Sequence, residues 1–409
     1  MSNYTSSLLN TLNERGYIHQ ITDEAGLDKL AQSSIIPGYI GFDATASSLH
    51  VGSLVQIMML RRLQQCGHKP IVIMGGATTK IGDPTGRDES RKMLSDDDIN
   101  ANIASIKKIF EKFLSFGDGP TDAVMVNNDD WLSTIEYLTF LRDIGPHFTI
   151  NRMLTFDSVK LRLGREQPMT FLEFNYMILQ AYDFMELSRR YGCTLQMGGS
   201  DQWGNIVNGM ELGRRIDGAS LYGLTTPLVT LADGGKMGKT AAGAVWLNED
   251  MLSSYDYWQV WRNTQDADVG RFLRLFTDID LAEIEALEAL EGADINKAKI
   301  ILANAATKMA HGDEAALSAE KTAMNIFEKG SGGGDLPEFK VDGKEISLLD
   351  ALIEIGFIAS KGEGKRLIKG GGARLNDISI ADEKHMIQST DGPIKISSGK
   401  KKHGFIKFD

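Results

Sequence analysis

Cysteine is nearly absent from this chain: 409 residues contain two, Cys66 and Cys193. Two thiols exclude a disulfide framework and a four-cysteine zinc site. Cys66 follows an apolar helical stretch and Cys193 opens a strand-like run, so both are expected to be buried, inert thiols. Also missing is any run approaching the ~20 apolar residues that a membrane-spanning helix needs. The opening residues, MSNYTSSLLNTLNERGY, lack the basic start and apolar core of a secretory signal. These absences point to a cytoplasmic protein without membrane contact. Positive charge is in deficit too, with 44 Lys+Arg against 55 Asp+Glu and a net −11. That balance argues against nonspecific nucleic-acid binding by the whole surface and leaves room for a local basic site.

What remains is ordinary for a globular chain, 42% hydrophobic and 24% charged, and long enough for more than one domain. Short apolar runs around Tyr39–Phe42, Ile71–Met74, Val124–Val126 and Thr194–Met197 read as strands covered on both faces. Helical patterns fall at 2–15, 26–33, and about 53–66, 96–116, 133–144, 170–191 and 203–216. This alternation implies an α/β fold, a Rossmann-like doubly wound parallel sheet. Residues 250–329 read as helices alone. The expected organisation is a doubly wound domain over 1–225, then 226–329 with a Lys-bearing loop and an α-helical domain. A Gly-rich flexible linker over 330–337 and a small α/β unit over 338–409 complete the chain.

Ligands of such sheets sit beyond the carboxyl ends of the strands. The segments after the strands are GFDATASSLHVG, GGATTKIGDPTGR, NNDDW and GGSDQWGN. In the first, a helix N-terminus offers unpaired N–H groups that can hold phosphate. Ser47 or Ser48 is placed to cap that helix. Gly52 allows close backbone approach, and Thr45 and His50 supply donors. Alone, the stretch is equally a capped helix with a surface histidine. Asp201 in GGSDQWGN is either a ribose acceptor or an N-cap. The stretch LADGGKMGKTAAGAVW, with Lys236 and Lys239, is either a flap over phosphates or an exposed hairpin turn.

A fifth segment carries different information. In TFLEFNYMILQAYDFMELSRRYG, Tyr176, Gln180 and Asp183 share one helix face. Phe174, Ile178, Ala181 and Met185 line the other side, so the helix is expected to be largely buried. Three polar groups inside it need partners, supplied by an internal network or by a ligand.

HVGS at 50–53 and KMGKT at 236–240 resemble, in degenerate form, the two signatures of class I aminoacyl-tRNA synthetases. With YIGFDATASSLHVG, GGATTKIGDPTGR, FNYMILQAYDF and GGSDQWGN, nearly the whole chain is similar to bacterial tyrosyl-tRNA synthetases. The resemblance implies activation of L-tyrosine with ATP to tyrosyl-adenylate and pyrophosphate, then transfer of tyrosyl to the 3′ adenosine of tRNA(Tyr). ATP enters as substrate with Mg²⁺; no permanently bound cofactor and no protein metal site are expected. By resemblance, Tyr39 and Asp183 contact the substrate phenol. Thr78, Asp83, Tyr176 and Gln180 hold the amino-acid head, and Gln202 the carboxylate region. Gly41, Asp43, His50, Gly52, Gly199, Asp201 and Lys239 meet the nucleotide. Thr45, His50, Lys236, Lys239, Thr240 and Arg87 act on the departing phosphates, with Asn128 near the pyrophosphate. The family also implies a homodimer. Two positions depart from its pattern, Ser53 for the second signature histidine and Ile40 beside the pocket tyrosine; Gly238 in place of the signature serine is a variation known among the tyrosine enzymes.

The tail differs in charge. Residues 338–409 hold 13 Lys+Arg and 11 Asp+Glu, so this segment is +2 and the rest of the chain −13. Its basic cluster, Lys361, Lys365, Arg366, Lys369 and Arg374, resembles the S-four-like RNA-binding domain and implies tRNA contact. Two alternatives stand beside the leading one: a tryptophanyl-tRNA synthetase, and a non-catalytic RNA-binding paralogue.

Overall fold

In a computed structural model, the structure describes residues 4–82, 94–232, 234–235, 237–240, 243–328, 337–341, 343–376, 378–389, 392–399 and 402–408. The chain divides into two compact units, Met1–Ser253 with Val260–Ala310, and Ser254–Gln259 with His311–Asp409. Among the described residues no helix is long and apolar enough to cross a membrane.

The first unit is built on a six-stranded sheet: β1 (Gln20–Ile21), β2 (Pro37–Phe42), β3 (Lys69–Met74), β4 (Val124–Asn127), β5 (Leu195–Gly199) and β6 (Tyr222–Thr226). Their order is β1-β6-β5-β2-β3-β4, parallel except for the antiparallel β1 edge. The chain winds outward from β2 through β3 to β4, then restarts at β5 on the other side of β2. The β2/β5 boundary is therefore the topological switch point, where loops leave in opposite directions and open a crevice. Ile71, Val72 and Met74 of β3 are fully buried, which explains their unbroken apolar run.

Helix limits follow local chemistry. The long helix Phe171–Tyr191 starts at a capping box, in which Thr170 and Glu173 exchange side-chain-to-backbone bonds. It stops at Gly192, whose φ of 61° suits a left-handed cap. Its interior is buried as expected, but its first turn is not: Phe171 and Leu172 are exposed. The expected helix over 133–144 is broken instead into Asp129–Leu132 and Tyr137–Asp143. Ser133 and Thr134 turn their hydroxyls onto the carbonyls of Asp129 and Trp131, which ends the first piece. β6 lay outside the sequence reading because Thr225 and Thr226, on its opposite faces, are polar by type yet fully buried. Cys193 is buried as expected, whereas Cys66 is only half-buried.

In the second unit, strands Ile378–Ser379, Ala373–Leu375, Ile394–Ser398, Lys402–Phe408 and Glu338–Val341 form a sheet in that order. Helices Leu348–Glu354 and Lys361–Lys369 contribute Leu348, Leu352 and Ile368 to a core shared with Ile396 and Ile406. This is a small α/β unit of the expected kind.

Candidate active site

One cavity opens at the switch point, lined by the ends of β2, β3 and β5 and by the Phe171–Tyr191 helix. It gathers Tyr39, Gly41, Asp43, Gly52, Thr78, Tyr176, Gln180, Asp183, Gly199, Asp201 and Gln202, eleven of the residues singled out from sequence. Sequence separations of up to 163 positions collapse into one crevice because β2 and β5 are neighbours.

The floor is polar and buried. Asp183 is 5% exposed; it accepts hydrogen bonds from Asn128 Nδ2 at 2.9 Å and Trp131 Nε1 at 2.7 Å. Asn128 is itself held: it donates to Thr78 Oγ1 at 3.0 Å and accepts from the Ala77 N–H at 2.9 Å. Burial pushes the Asp183 carboxyl up to about 7, while the Asn128 and Trp131 donors pull the other way. Tyr39 stands on β2 with its ring edge-on to Phe184, 5.2 Å between centroids. Its hydroxyl is buried and meets no hydrogen-bond partner among the described residues. Burial first, and the Asp183 charge second, raise its pKa well above the usual phenol value. Two more acceptors without a partner among the described residues line the same cavity, Gln180 Oε1 and Gln196 Oε1. Gln180 gives its amide N–H to Gln202 Oε1 at 3.3 Å.

A buried polar atom without a partner costs free energy, on the order of 1–3 kcal/mol each. Tyr39, Gln180 and Gln196 together therefore describe a cavity made for a polar guest. Near Asp183 and Tyr39 that guest must both donate and accept.

The outer half is open and built mainly from backbone. Gly41 and Asp201 are exposed, and Asp43 is half-buried with Oδ1 3.5 Å from the Tyr176 hydroxyl. Asp201 is not an N-cap; Gly199 holds that place ahead of the short turn Ser200–Gln202. Neither Ser47 nor Ser48 caps the helix after β2. His50 instead caps the turn Val51–Ser53 that runs into Leu54–Gln65, its Nδ1 accepting the Gly52 N–H at 2.9 Å. That bond leaves the ring proton on Nε2. Ser48 is buried and takes the Asn248 N–H instead, because residues 47–51 are laced to 245–248. Thr45 is exposed and does not line the cavity.

Asp83, Arg87 and Lys236 lie outside the described residues, as do the side chains of Lys239 and Thr240. The backbone of Lys239–Thr240 pairs antiparallel with Gly243–Ala244. Asn128 lines the cavity floor, 1% exposed and bonded to Asp183. Trp131 and Gln196 were missed. The indole sits in the NNDDW segment and the amide in the TLQM strand, so the chemistry was visible but not the direction of either side chain.

In the second unit all five basic candidates are exposed on or beside the helix Lys361–Lys369. Three engage carboxylates: Lys361 with Asp350 at 2.8 Å, and Lys365 and Lys369 with Glu383 at 3.9 and 3.1 Å. Exposed pairs of this kind are weak and readily exchanged for phosphate.

With this geometry in hand, the family profile described as tRNA synthetases class I (W and Y) matches residues 34–328. A protein of Novosphingobium aromaticivorans named tyrosine–tRNA ligase is 64% identical, covering 100% of both chains. One of Caulobacter vibrioides with the same name is 62% identical over 99% of both. Among solved structures, a C-terminally truncated Aspergillus nidulans mitochondrial tyrosyl-tRNA synthetase superposes with a TM-score of 0.71 at 30% identity. That match covers 79% of this chain and 95% of the other.

Proposed function

Because this chain belongs to the class I tRNA synthetases of the tryptophan and tyrosine type, we propose that it is a tyrosine–tRNA ligase whose buried Tyr39 and Asp183 recognise the substrate phenol. The observation that carries this is the unpartnered Tyr39 hydroxyl beside the buried Asp183 carboxylate. A phenol donates to the carboxylate and accepts from Tyr39, whereas an indole N–H can only donate. The same pair therefore favours tyrosine over tryptophan.

The chemistry follows from the cavity's two halves. Thr78, Asp83, Tyr176, Gln180 and Gln202 hold the ammonium and carboxylate of tyrosine, with Gln180 Oε1 free to accept from the ammonium. Gly41, Asp43, Gly52, Gly199 and Asp201 receive the nucleotide, where bare glycine backbone lets ATP lie close. The tyrosine carboxylate, already ionised at neutral pH, attacks the α-phosphorus. A carboxyl O–P bond forms and the bond to the pyrophosphate oxygen breaks, with no general base required. Thr45, His50, Arg87, Lys236, Lys239 and Thr240 meet the charge that leaves, His50 through its Nε2–H. Mg²⁺ comes in with ATP as part of the substrate. The 3′ adenosine hydroxyl of tRNA then takes the tyrosyl group and AMP leaves.

Lys361, Lys365, Arg366, Lys369 and Arg374 bind tRNA through its phosphates, which makes that contribution fall with salt. The working form is a homodimer in the cytoplasm. Supporting this, Tyr137, Leu138, Ile150, Leu163, Phe171 and Leu172 leave large apolar surface exposed within one stretch of the first unit. Ser53 lines the cavity, so the lost second histidine is replaced by a hydroxyl at the same crevice.

ATP–pyrophosphate exchange with each amino acid in turn tests the assignment. Exchange is expected with tyrosine alone. Exchange with tryptophan alone, or with none, overturns it in favour of the tryptophan enzyme or a non-catalytic relative.

A further inference from the structure

The two signature segments touch through bare backbone. Gly238 has φ +91°, and a Cβ there lies 2.7 Å from the Gly52 nitrogen and 3.0 Å from His50 Nδ1. The reverse is also true: a Cβ on Gly52 lies 3.2 Å from the Met237 carbonyl oxygen and 2.6 Å from His50 Cε1. The contact is reinforced by hydrogen bonds. The Val245 N–H bonds the Gly238 carbonyl at 3.0 Å, and the Val51 N–H bonds the Val245 carbonyl at 2.8 Å. The Leu247 N–H continues the lacing to the Leu49 carbonyl at 2.9 Å, and His50 bridges to Trp246. Asn248 closes it, its amide reaching the Ser47 carbonyl at 3.1 Å and Ser105 Oγ at 3.2 Å.

We infer that Gly238 is a positioning residue: its lack of a side chain lets the Lys-bearing segment seat directly on the His50–Gly52 turn. Gly52 N–H is the atom that fixes His50, through Nδ1. A side chain at 238 presses on that N–H and on the ring it orients, and so disturbs two elements of the phosphate site at once. Positive φ adds an independent penalty for any L side chain. Serine, the residue found here in the wider class signature, is thus harmful in this chain. The device rests on the reading of the Lys236–Lys239 segment as the phosphate loop.

Three variants test it, Gly238→Ser, Gly238→Ala and Lys239→Ala, each compared with the unaltered chain. The expected result is that both Gly238 variants lose about tenfold or more in the rate of tyrosine-dependent exchange. The melting temperature falls in both Gly238 variants, because positive φ strains any L side chain, whereas tyrosine affinity, read by equilibrium dialysis, stays unchanged, because the contact lies in the outer half of the cavity. A merely structural glycine would lower tyrosine affinity together with the rate. Gly238→Ser at the unaltered rate, with Lys239→Ala inactive, overturns the positioning role alone. Full exchange by Lys239→Ala overturns the phosphate-loop reading beneath it. Loss of tyrosine affinity in both Gly238 variants also overturns the proposal, since the effect would then reach the wrong half.

Discussion

The two halves of the cavity select their guests by opposite means. The inner half is buried and holds few groups, each with a fixed partner or none: Asp183 is tied to Asn128 and Trp131, and Tyr39 is left unpartnered. The outer half is open, glycine-lined and assembled from turns. In a low-dielectric floor, one missing hydrogen bond has a large effect, so that half suits discrimination between similar side chains. In an open cleft each contact is screened, so that half suits binding a highly charged nucleotide through many small contributions. Removing the inner carboxylate should therefore cost more than removing any single contact to the nucleotide.

Asp183→Ala gives the largest expected effect. It strands the Asn128 and Trp131 donors and the substrate hydroxyl, and tyrosine activation should fall about a thousandfold. Pyrophosphate exchange measures it, and the KM for ATP should move less than about twofold. Exchange near the unaltered rate would remove Asp183 from recognition and erase the contrast between the halves.

Tyr39→Phe sharpens the same contrast with a smaller change. Loss of one neutral hydrogen bond should weaken tyrosine about tenfold and narrow the preference over phenylalanine. The free protein should become more stable by about 1 kcal/mol, because an unpartnered buried hydroxyl has been removed. Thermal melting without ligand separates these effects, and a lower melting temperature would contradict the orphaned state of that oxygen.

The smallest effect is a pH dependence. Asp183 titrates near 7 in the free protein because burial disfavours its charge. A phenol donating to the carboxylate favours the ionised form, so the complex has the lower pKa. Tyrosine affinity should be greatest above pH 7 and decline several-fold as pH falls toward 6, with proton release on binding near neutrality. Calorimetry in buffers of different ionisation enthalpy reads that proton. A profile that is flat between pH 6 and 8 would mean that the carboxylate is already ionised in the free protein.

The order of strands and helices was legible because burial on both faces imposes unbroken apolar runs, as in β3, and because helix faces repeat visibly. The edges were less so. β6 hides behind Thr225 and Thr226, and the break at Ser133 depends on two hydroxyls choosing carbonyls. In the site, eleven candidates converge on one cavity, since motif and helix-face arguments name residue types correctly. Directions were the weak point. Asn128 bonds Asp183, Trp131 and Gln196 went unnoticed, and the side-chain cap ahead of the helix is His50 on its leading turn, not Ser47 or Ser48.

Local chemistry alone determined the alternating architecture, the charge difference between the tail and the rest, and the polar groups gathered after the strands and along one helix face; their assignment to a phenol and a nucleotide came from the family resemblance. Such properties depend on neighbours along the chain, which the sequence contains in full. Tertiary structure decided which polar atoms remain unpartnered, how far the Asp183 carboxyl departs from its ordinary pKa, and why position 238 is glycine. Each of these depends on atoms brought together from distant segments, at distances where a fraction of an ångström decides between a hydrogen bond and a clash.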